Sequence, residues 1–287
     1  MADEIPGINM IVAREGTAIT DQTDATLSST PEVAESVVKD TGFPNRLPAD
    51  QDWTISLETQ IPDSAGKDAL VNGNAGLEVN VDATDDSTDN PQLESVEGIQ
   101  SLTLTLDQDL QEVPPGISDA TGWTYYIALR RMWEVDVDAH YYDPEPDNTG
   151  ANVYEALHEA RENGNSVSAE LTLLGSIFSG DLVADDFELA AGTDDPASQS
   201  LPMMGTGAVS LSTNLETTID GLIQMYFDQS TATVALQHEE GGSVVSPSTI
   251  WEGDAYLANA EITLERNAFP TLSAELQGTG PLSRVSN

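Results

Sequence analysis

The chain has 287 residues, no cysteine, and 50 acidic against 9 basic side chains, a formal net charge of −41. Two lysines (Lys39, Lys67) and seven scattered arginines cannot build the basic surface that replaces phosphate counterions on nucleic acid, nor a patch for an anionic membrane. The missing cysteines exclude disulfides, Cys-based zinc sites and a thiolate nucleophile.

MADEIPGINMIV at the start has no basic region and too short an apolar run for a signal peptide. No stretch approaches the ~18 consecutive apolar residues of a membrane span. With 39% hydrophobic residues in ordered runs, the chain is expected to fold rather than remain disordered. The acid excess, with arginine ahead of lysine, points to adaptation to molar salt. There the Debye length is about 3 Å, against about 10 Å at 0.1 M, so self-repulsion is screened.

Taken in chain order, the first feature is a stretch of weak periodicity from Ser28 to Gln51, predicted to be a long loop. Trp53, Ile55 and Leu57 then alternate with Thr54, Ser56 and Glu58, the period of a half-buried strand. Polar turns are predicted at 82–92, 111–122 and 143–150. Between them, Leu102, Leu104 and Leu106 alternate with threonines, and Trp133, Val135 and Val137 alternate with Glu134, Asp136 and Asp138. In NVYEALHEARENG, Val153, Ala156, Leu157 and Ala160 share one helix face, with Asn152 as N-cap and Asn163-Gly164 as stop. A strand over 166–174 follows. Leu182 to Leu189 is a weaker strand candidate. TTIDGLIQMYFD repeats the helical spacing at Ile219, Leu222, Ile223 and Tyr226, and a strand over 231–239 follows it. Ile262 with Leu264, and Leu272 to Leu276, close the pattern. The fold class is mainly β, an antiparallel barrel or sandwich with short flanking helices.

An internal duplication is also expected. Each helix and strand is followed by Gly-Asp, a strand, and Gly-Thr-Gly. The spacing from Gly180 to Gly205 is 205 − 180 = 25 residues, and from Gly253 to Gly278 it is 278 − 253 = 25. A fainter echo lies in GKDALVNG, LEVNVD and EGIQSLTLTLD. The expected division is 1–149, carrying the long loop and an insertion, and 150–287, made of two helix–strand repeats over 150–213 and 214–287.

Catalytic chemistry has no foothold here. His140, His158 and His238 lack zinc spacing. Asp82, Asp86 and Asp89 begin like a calcium loop, but Ser87 and Leu93 stand where its Gly and bidentate Glu belong. Asp143, Glu145 and Asp147 are no better. No catalytic residue, metal or cofactor is expected, and the protein is read as a non-enzyme.

Several segments nevertheless resemble a family. EGTAITDQTDATLSSTPEVAESVVKDTGFPNRLPADQDWTISLET is similar to the opening of major tail tube proteins of long-tailed, siphovirus-like phages and archaeal viruses. YEALHEARENGNSVSAELTL resembles that family's helix and following strand, and AELQGTGPL its closing strand. The acidity suggests a haloarchaeal virus. The resemblance implies rings of six copies, or three if the chain is fully duplicated, stacked into a tube with other tail proteins at its ends. Viral DNA would pass through without specific binding and without a membrane partner. The place would be the virion tail, assembled in the host cytoplasm. The long loop would contact the adjacent ring through Phe43, Pro44, Arg46 and Leu47. Arg130, Arg131 and Arg266 would bridge subunits, and Trp53 and Trp133 would lie in a core or an interface. The alternatives are a halophilic β-sandwich surface or adhesin module, or a minor tail protein such as a tail terminator.

Overall fold

The computed structural model describes residues 10–19, 21–37, 44–61, 69–70, 75–80, 93–113, 123–140, 149–185, 188–190, 197–212, 217–240, 243–244 and 249–286. In chain order the elements are β1 (Met10–Arg14), β2 (Thr17–Ala18), β3 (Gln22–Val37), β4 (Pro44–Gln60), β5 (Ala75–Asn80), β6 (Leu93–Ser95), β7 (Ile99–Glu112), β8 (Tyr126–His140) and α1 (Thr149–Asn163). They continue with β9 (Val167–Leu173), β10 (Ser176–Ala184), β11 (Glu188–Ala190), β12 (Ser198–Ser212), α2 (Thr217–Asp228), β13 (Ala232–Glu240), β14 (Ser243–Val244), β15 (Thr249–Glu265), β16 (Thr271–Gly278) and β17 (Ser283–Ser286). The fold is mainly antiparallel β with two helices among the described residues.

Strand-to-strand pairing runs β9–β10–β12–β8–β7–β15–β16–β4–β3. On β9 the sheet extends through β5 to β6. From the first half of β15 it extends through β13 to β1 and β2. Strands from 1–149 and from 150–287 therefore interleave, since β4 lies against β16 and β8 against β12.

One face of each strand is apolar because the sequence alternates. Leu102, Leu104, Leu106, Val135, Val137, Ile262, Leu264, Ile55 and Leu57 are all buried. α1 covers this core with Val153 and Leu157, and α2 with Ile219, Leu222 and Ile223. α1 starts at Thr149, so Asn152 lies within the helix rather than at its cap. Gly164, with φ +68, ends it as the sequence suggests.

Two tryptophans sit in the same kind of seat. Trp53 on β4 lies under Gly253 and Gly278, and a Cβ at Gly253 would approach Cζ2 to 2.6 Å. Trp133 on β8 lies under Gly180 and Gly205, and a Cβ at Gly180 would approach Cζ2 to 2.7 Å. Gly278 and Gly205 touch the indoles so closely that no side chain fits between. The 25-residue spacing is thereby explained. It places one glycine on each of two adjacent strands over one ring, with Leu182 opposite Gly205 and Ala255 opposite Gly278.

The stretch from Ser28 to Gln51 is largely strand, which corrects the expected loop. β3 and β4 pair from Gln22↔Thr59 to Val37↔Pro44. The arm was hidden by its prolines. Pro31 sits at a register slip, where a missing N–H is tolerated, and antiparallel pairing is a backbone interaction that needs no side-chain alternation. The candidate strand at Leu182 to Leu189 divides into β10 and β11. β12 was missed because Gly205-Thr206-Gly207 reads as a turn, whereas it lies within the strand.

Trp53→Ala is expected to cost about 3–5 kcal/mol, the usual range for emptying a buried Trp site. Gly278→Ala is expected to cost about 1–3 kcal/mol by overpacking. Urea unfolding in molar salt reads both. A loss below about 0.5 kcal/mol for either would mean that the ring is not locked in its seat.

Candidate functional site

The seat of Trp53 is closed on every side. Its Nε1–H donates to the Gly280 carbonyl at 3.0 Å. Tyr125 covers Gly280, the Gly280 N–H donates to the Thr124 carbonyl at 2.8 Å, and the Tyr126 N–H donates to Thr279 Oγ1 at 2.9 Å. The Tyr126 hydroxyl donates to Asp52 Oδ2 at 3.1 Å, and Gln277 Nε2 donates to Asp52 Oδ1 at 2.7 Å. The segment Thr124–Tyr126, leading into β8, is thus the lid.

Trp133 has no such lid among the described residues. Beside it lies an open groove of roughly 560 Å³, lined by Leu129, Arg131, Met132, Gly207, Ala208 and Gln229. A Cβ at Gly207 would meet nothing within 4 Å, whereas at Gly280 it would meet Tyr125 at 2.8 Å. Trp133 Nε1 is buried with no hydrogen-bond partner among the described residues. The aspartates after Gly180 and Gly253 are held alike. Ser168 Oγ donates to Asp181 Oδ1 at 2.7 Å, and Thr233 Oγ1 to Asp254 Oδ1 at 2.9 Å.

The solvent face of the sheet carries the charge in an ordered way. Across β8, β7, β15, β16 and β4 one row reads Glu134, Thr105, Glu261, Ser273, Glu58. The next reads Asp136, Thr103, Thr263, Thr271. Ser101 donates to Asp138 Oδ2 at 2.9 Å in a third. In these rows a hydroxyl residue separates the carboxylates from β8 to β4, while beyond them Glu58 faces Asp24 on β3 and Glu78 faces Glu170. Adjacent strands are about 4.8 Å apart, so carboxylates two strands apart are about 10 Å from each other. That separation equals a Debye length at 0.1 M and is about three at 1 M. Asp136 feels the remaining repulsion. Burial, then Asp138 and Glu261, push its pKa up.

The candidate bridging arginines have partners within the chain or lie exposed. Arg130 Nε is 3.1 Å from Asp109 Oδ2, both well exposed, a contact of about 0–1 kcal/mol. Arg131 Nη1 donates to the Tyr226 carbonyl at 3.4 Å and to the Phe227 carbonyl, at the end of α2 where the helix dipole favours a cation. Its guanidinium also stands 5.8 Å from the centre of the Tyr226 ring. The Tyr226 hydroxyl donates to the Met132 carbonyl at 2.7 Å, and burial pushes its pKa up to about 12. Arg266 is exposed, and its backbone N–H donates to the Gln100 carbonyl at 2.9 Å. Pro44, Arg46 and Leu47 lie on the β4 arm, with Arg46 in register with Glu35. Phe43 lies outside the described residues, as do Asp82, Asp86, Asp89, Asp143, Glu145 and Asp147. The histidines are not brought together. His158 approaches Glu162 at 3.5 Å one turn along α1, and His140 belongs to β8 and His238 to β13. Among the described residues no three His, Cys, Asp or Glu are grouped to hold a metal, and no helix is long and apolar enough to cross a membrane.

No family model matches the chain, and no curated protein does. Solved structures with similar chains include the virion of a native gene transfer agent particle, 14% identical, TM-score 0.39, covering 49% of this chain and 97% of that one. The tail of an empty gene transfer agent particle, refined with C6 symmetry, is 15% identical with TM-score 0.40 and the same coverage. The tail tube of SPP1 is 9% identical with TM-score 0.38, covering 56% of this chain and 86% of that one.

The raised pKa of Asp136 fixes the sign of a pH effect. The folded protein holds this proton more tightly than the unfolded chain does. The group's contribution to stability therefore falls as pH rises from the ordinary carboxylate range through the folded value, and stays low above it. Asp136→Asn is expected to raise the melting midpoint at pH 7 in the lowest salt that keeps the fold, by on the order of 1–2 °C, and by less in molar salt. A lowered midpoint at pH 7 would contradict the repulsion.

Proposed function

We propose that this chain is the major subunit of a viral tail tube, a structural protein that assembles into stacked rings and conducts DNA without catalysis. The observation that carries the reading is the convergence of the segments that resemble the family. DWTISLE and AELQGTGPL stand at opposite ends of the sequence, yet they form neighbouring strands, paired from Gln60↔Thr271 to Thr54↔Gln277. They are locked by the Trp53 Nε1 bond to Gly280, which spans 227 residues of chain. Two of the three segments that resemble the family thus form one structural unit, and the third lies in α1 and β9.

The remaining features fit the same role. Among the described residues β3 has a partner strand on one side only, an edge suited to joining another chain. The carboxylate–hydroxyl face offers phosphate no cation and repels it, so DNA would slide past rather than bind. On this reading the face lines the conduit, and molar salt in a haloarchaeal setting keeps the assembly together. The protein would reside in the virion tail after assembly in the host cytoplasm.

The purified protein in molar salt, viewed by negative-stain microscopy, should form stacked rings or tubes. Monodisperse monomers at the highest soluble concentration would contradict the reading. Short rings that never stack would favour a tail terminator instead.

A further inference from the structure

We infer that the chain holds two complete copies of one fold, one nested inside the other, and that the joint between them is repeated between chains. In that contact β3 of one molecule adds to β11 of the next. The number of chains per ring rests on the tail-tube reading; the strand register does not.

The nesting follows from the registers. The inner copy is β5, β7, β8, α1, β9, β10, β11 and β12. The outer copy takes β1, β3 and β4 from the start of the chain and α2, β13, β15 and β16 from its end. On β12 and β8, Met203 faces Val135 and Leu201 faces Val137; on β16 and β4, Leu276 faces Ile55 and Ala274 faces Leu57. Leu77↔Leu171 on β5 and β9 corresponds to Val12↔Leu236 on β1 and β13. Leu189↔Gln199 on β11 and β12 corresponds to Ile262↔Leu272 on β15 and β16.

The irregularities match as well. β7–β8 slips register after Ile99 and after Gln108, 108 − 99 = 9 residues apart, and β3–β4 slips after Gln22 and after Pro31, 31 − 22 = 9 apart. Bulges are local features, so two in the same places mark the same strand pair twice. The two tryptophan seats and the two aspartate–hydroxyl bonds then fall on equivalent positions.

The joint inside the chain is visible in full. β7 of the inner copy adds to β15 of the outer, with Thr103 opposite Thr263, Leu104 opposite Ile262 and Thr105 opposite Glu261. The lid Thr124–Tyr126 of the inner copy closes the Trp53 seat of the outer. Each half of this joint has an unused counterpart. β3 corresponds to β7, and among the described residues it pairs only with β4. β11 corresponds to the second half of β15, and among the described residues it pairs only with β12. Pro44–Arg46 corresponds to the lid, because Glu112↔Tyr126 matches Glu35↔Arg46. The open Trp133 groove corresponds to the closed Trp53 seat. Leu27 is half-buried at the free edge, whereas its counterpart Leu104 is fully buried under β15.

A second copy of the chain supplies both missing parts at once. Its Thr26, Leu27 and Ser28 would lie opposite Ala190, Leu189 and Glu188, and its Pro44–Arg46 would close the groove beside Trp133. Pro44 and Arg46 would then belong to the contact within a ring, rather than to the contact between rings that the sequence suggests. Such a contact is head-to-tail, the kind that builds a ring when its rotation closes. On the tail-tube reading the ring holds six copies of the fold, and therefore three chains.

With no native cysteine, one engineered pair supplies the only thiols. Thr26→Cys with Ala190→Cys reproduces the pair Thr103 and Thr263, whose hydroxyl oxygens are 3.4 Å apart. After oxidation of the assembled protein in molar salt, a non-reducing denaturing gel should show a ladder that ends at three chains. Thr30→Cys with Ala190→Cys, out of register, should crosslink at least about tenfold less. Equal crosslinking of both pairs, or assembled rings with no crosslink at Thr26 and Ala190, would overturn the inference. Tubes without the in-register crosslink would leave the tail-tube reading standing and the inference refuted. The three-chain ladder without tubes would do the reverse. Neither multimers nor crosslinks would refute both. Ala208→Trp, on the exposed rim of the groove, should abolish multimers while leaving the monomer's melting curve unchanged; normal assembly of that variant would also overturn the inference.

Discussion

The structure depends on an indole packed face-on against two glycines. A tryptophan on one strand needs flat space across two further strands, and only glycine leaves it. The requirement ties β4 to β16 and β15, and β8 to β12 and β10. Each seat therefore fixes the register of three strands whose sequences lie far apart. A one-residue slip would turn Trp53 toward solvent and present Thr54 to the core. The rest of the sheet follows from that alignment, including which residues face water.

That water-facing surface is where −41 becomes tolerable. Carboxylates facing one another across a strand pair would repel at about 5 Å. In the row from Glu134 to Glu58 threonine and serine stand between them, whereas Asp24 faces Glu58 and Glu78 faces Glu170 directly. The residual repulsion acts over about 7 Å along a strand, as between Asp136 and Asp138, and about 10 Å across two strands, distances at which molar salt is an effective screen. A surface of this kind stays soluble in brine and gives phosphate nothing to bind. The charge that first excluded nucleic-acid binding is, on the proposed reading, what a DNA conduit needs.

Much of this was legible in the sequence, and the reasons for the gaps are physical. Strands with one buried face announced themselves by alternation, as at Trp53 to Leu57 and Trp133 to Val137. Both helices showed through the spacing of Val153 and Leu157, and of Ile219 and Ile223. The Gly-Asp and Gly-Thr-Gly repeats were visible as spacing, but their purpose was not, because nothing in a one-dimensional pattern links Gly205 to Trp133. The β3–β4 arm escaped because Pro31, Pro44 and Pro48 resemble loop residues. The nested order escaped for another reason. The inner copy interrupts the outer one between β4 and α2, so the matching helix–strand repeats appeared in tandem while their N-terminal strands stood separately. In so acidic a chain any arginine suggests a carboxylate partner; Arg130 has one in Asp109, whereas Arg131 goes to helix carbonyls.

One joint, β7 on β15 inside the chain, recurs in the inferred contact between chains. Cryo-electron microscopy of the assembly in molar salt tests it most directly, by tracing the strand that lies beside β3. Residues 188–190 of a neighbouring molecule are expected there, antiparallel, with Ala190 opposite Thr26 and three chains in each ring. A β3 edge open to solvent, a different strand beside it, or six chains in each ring would contradict it.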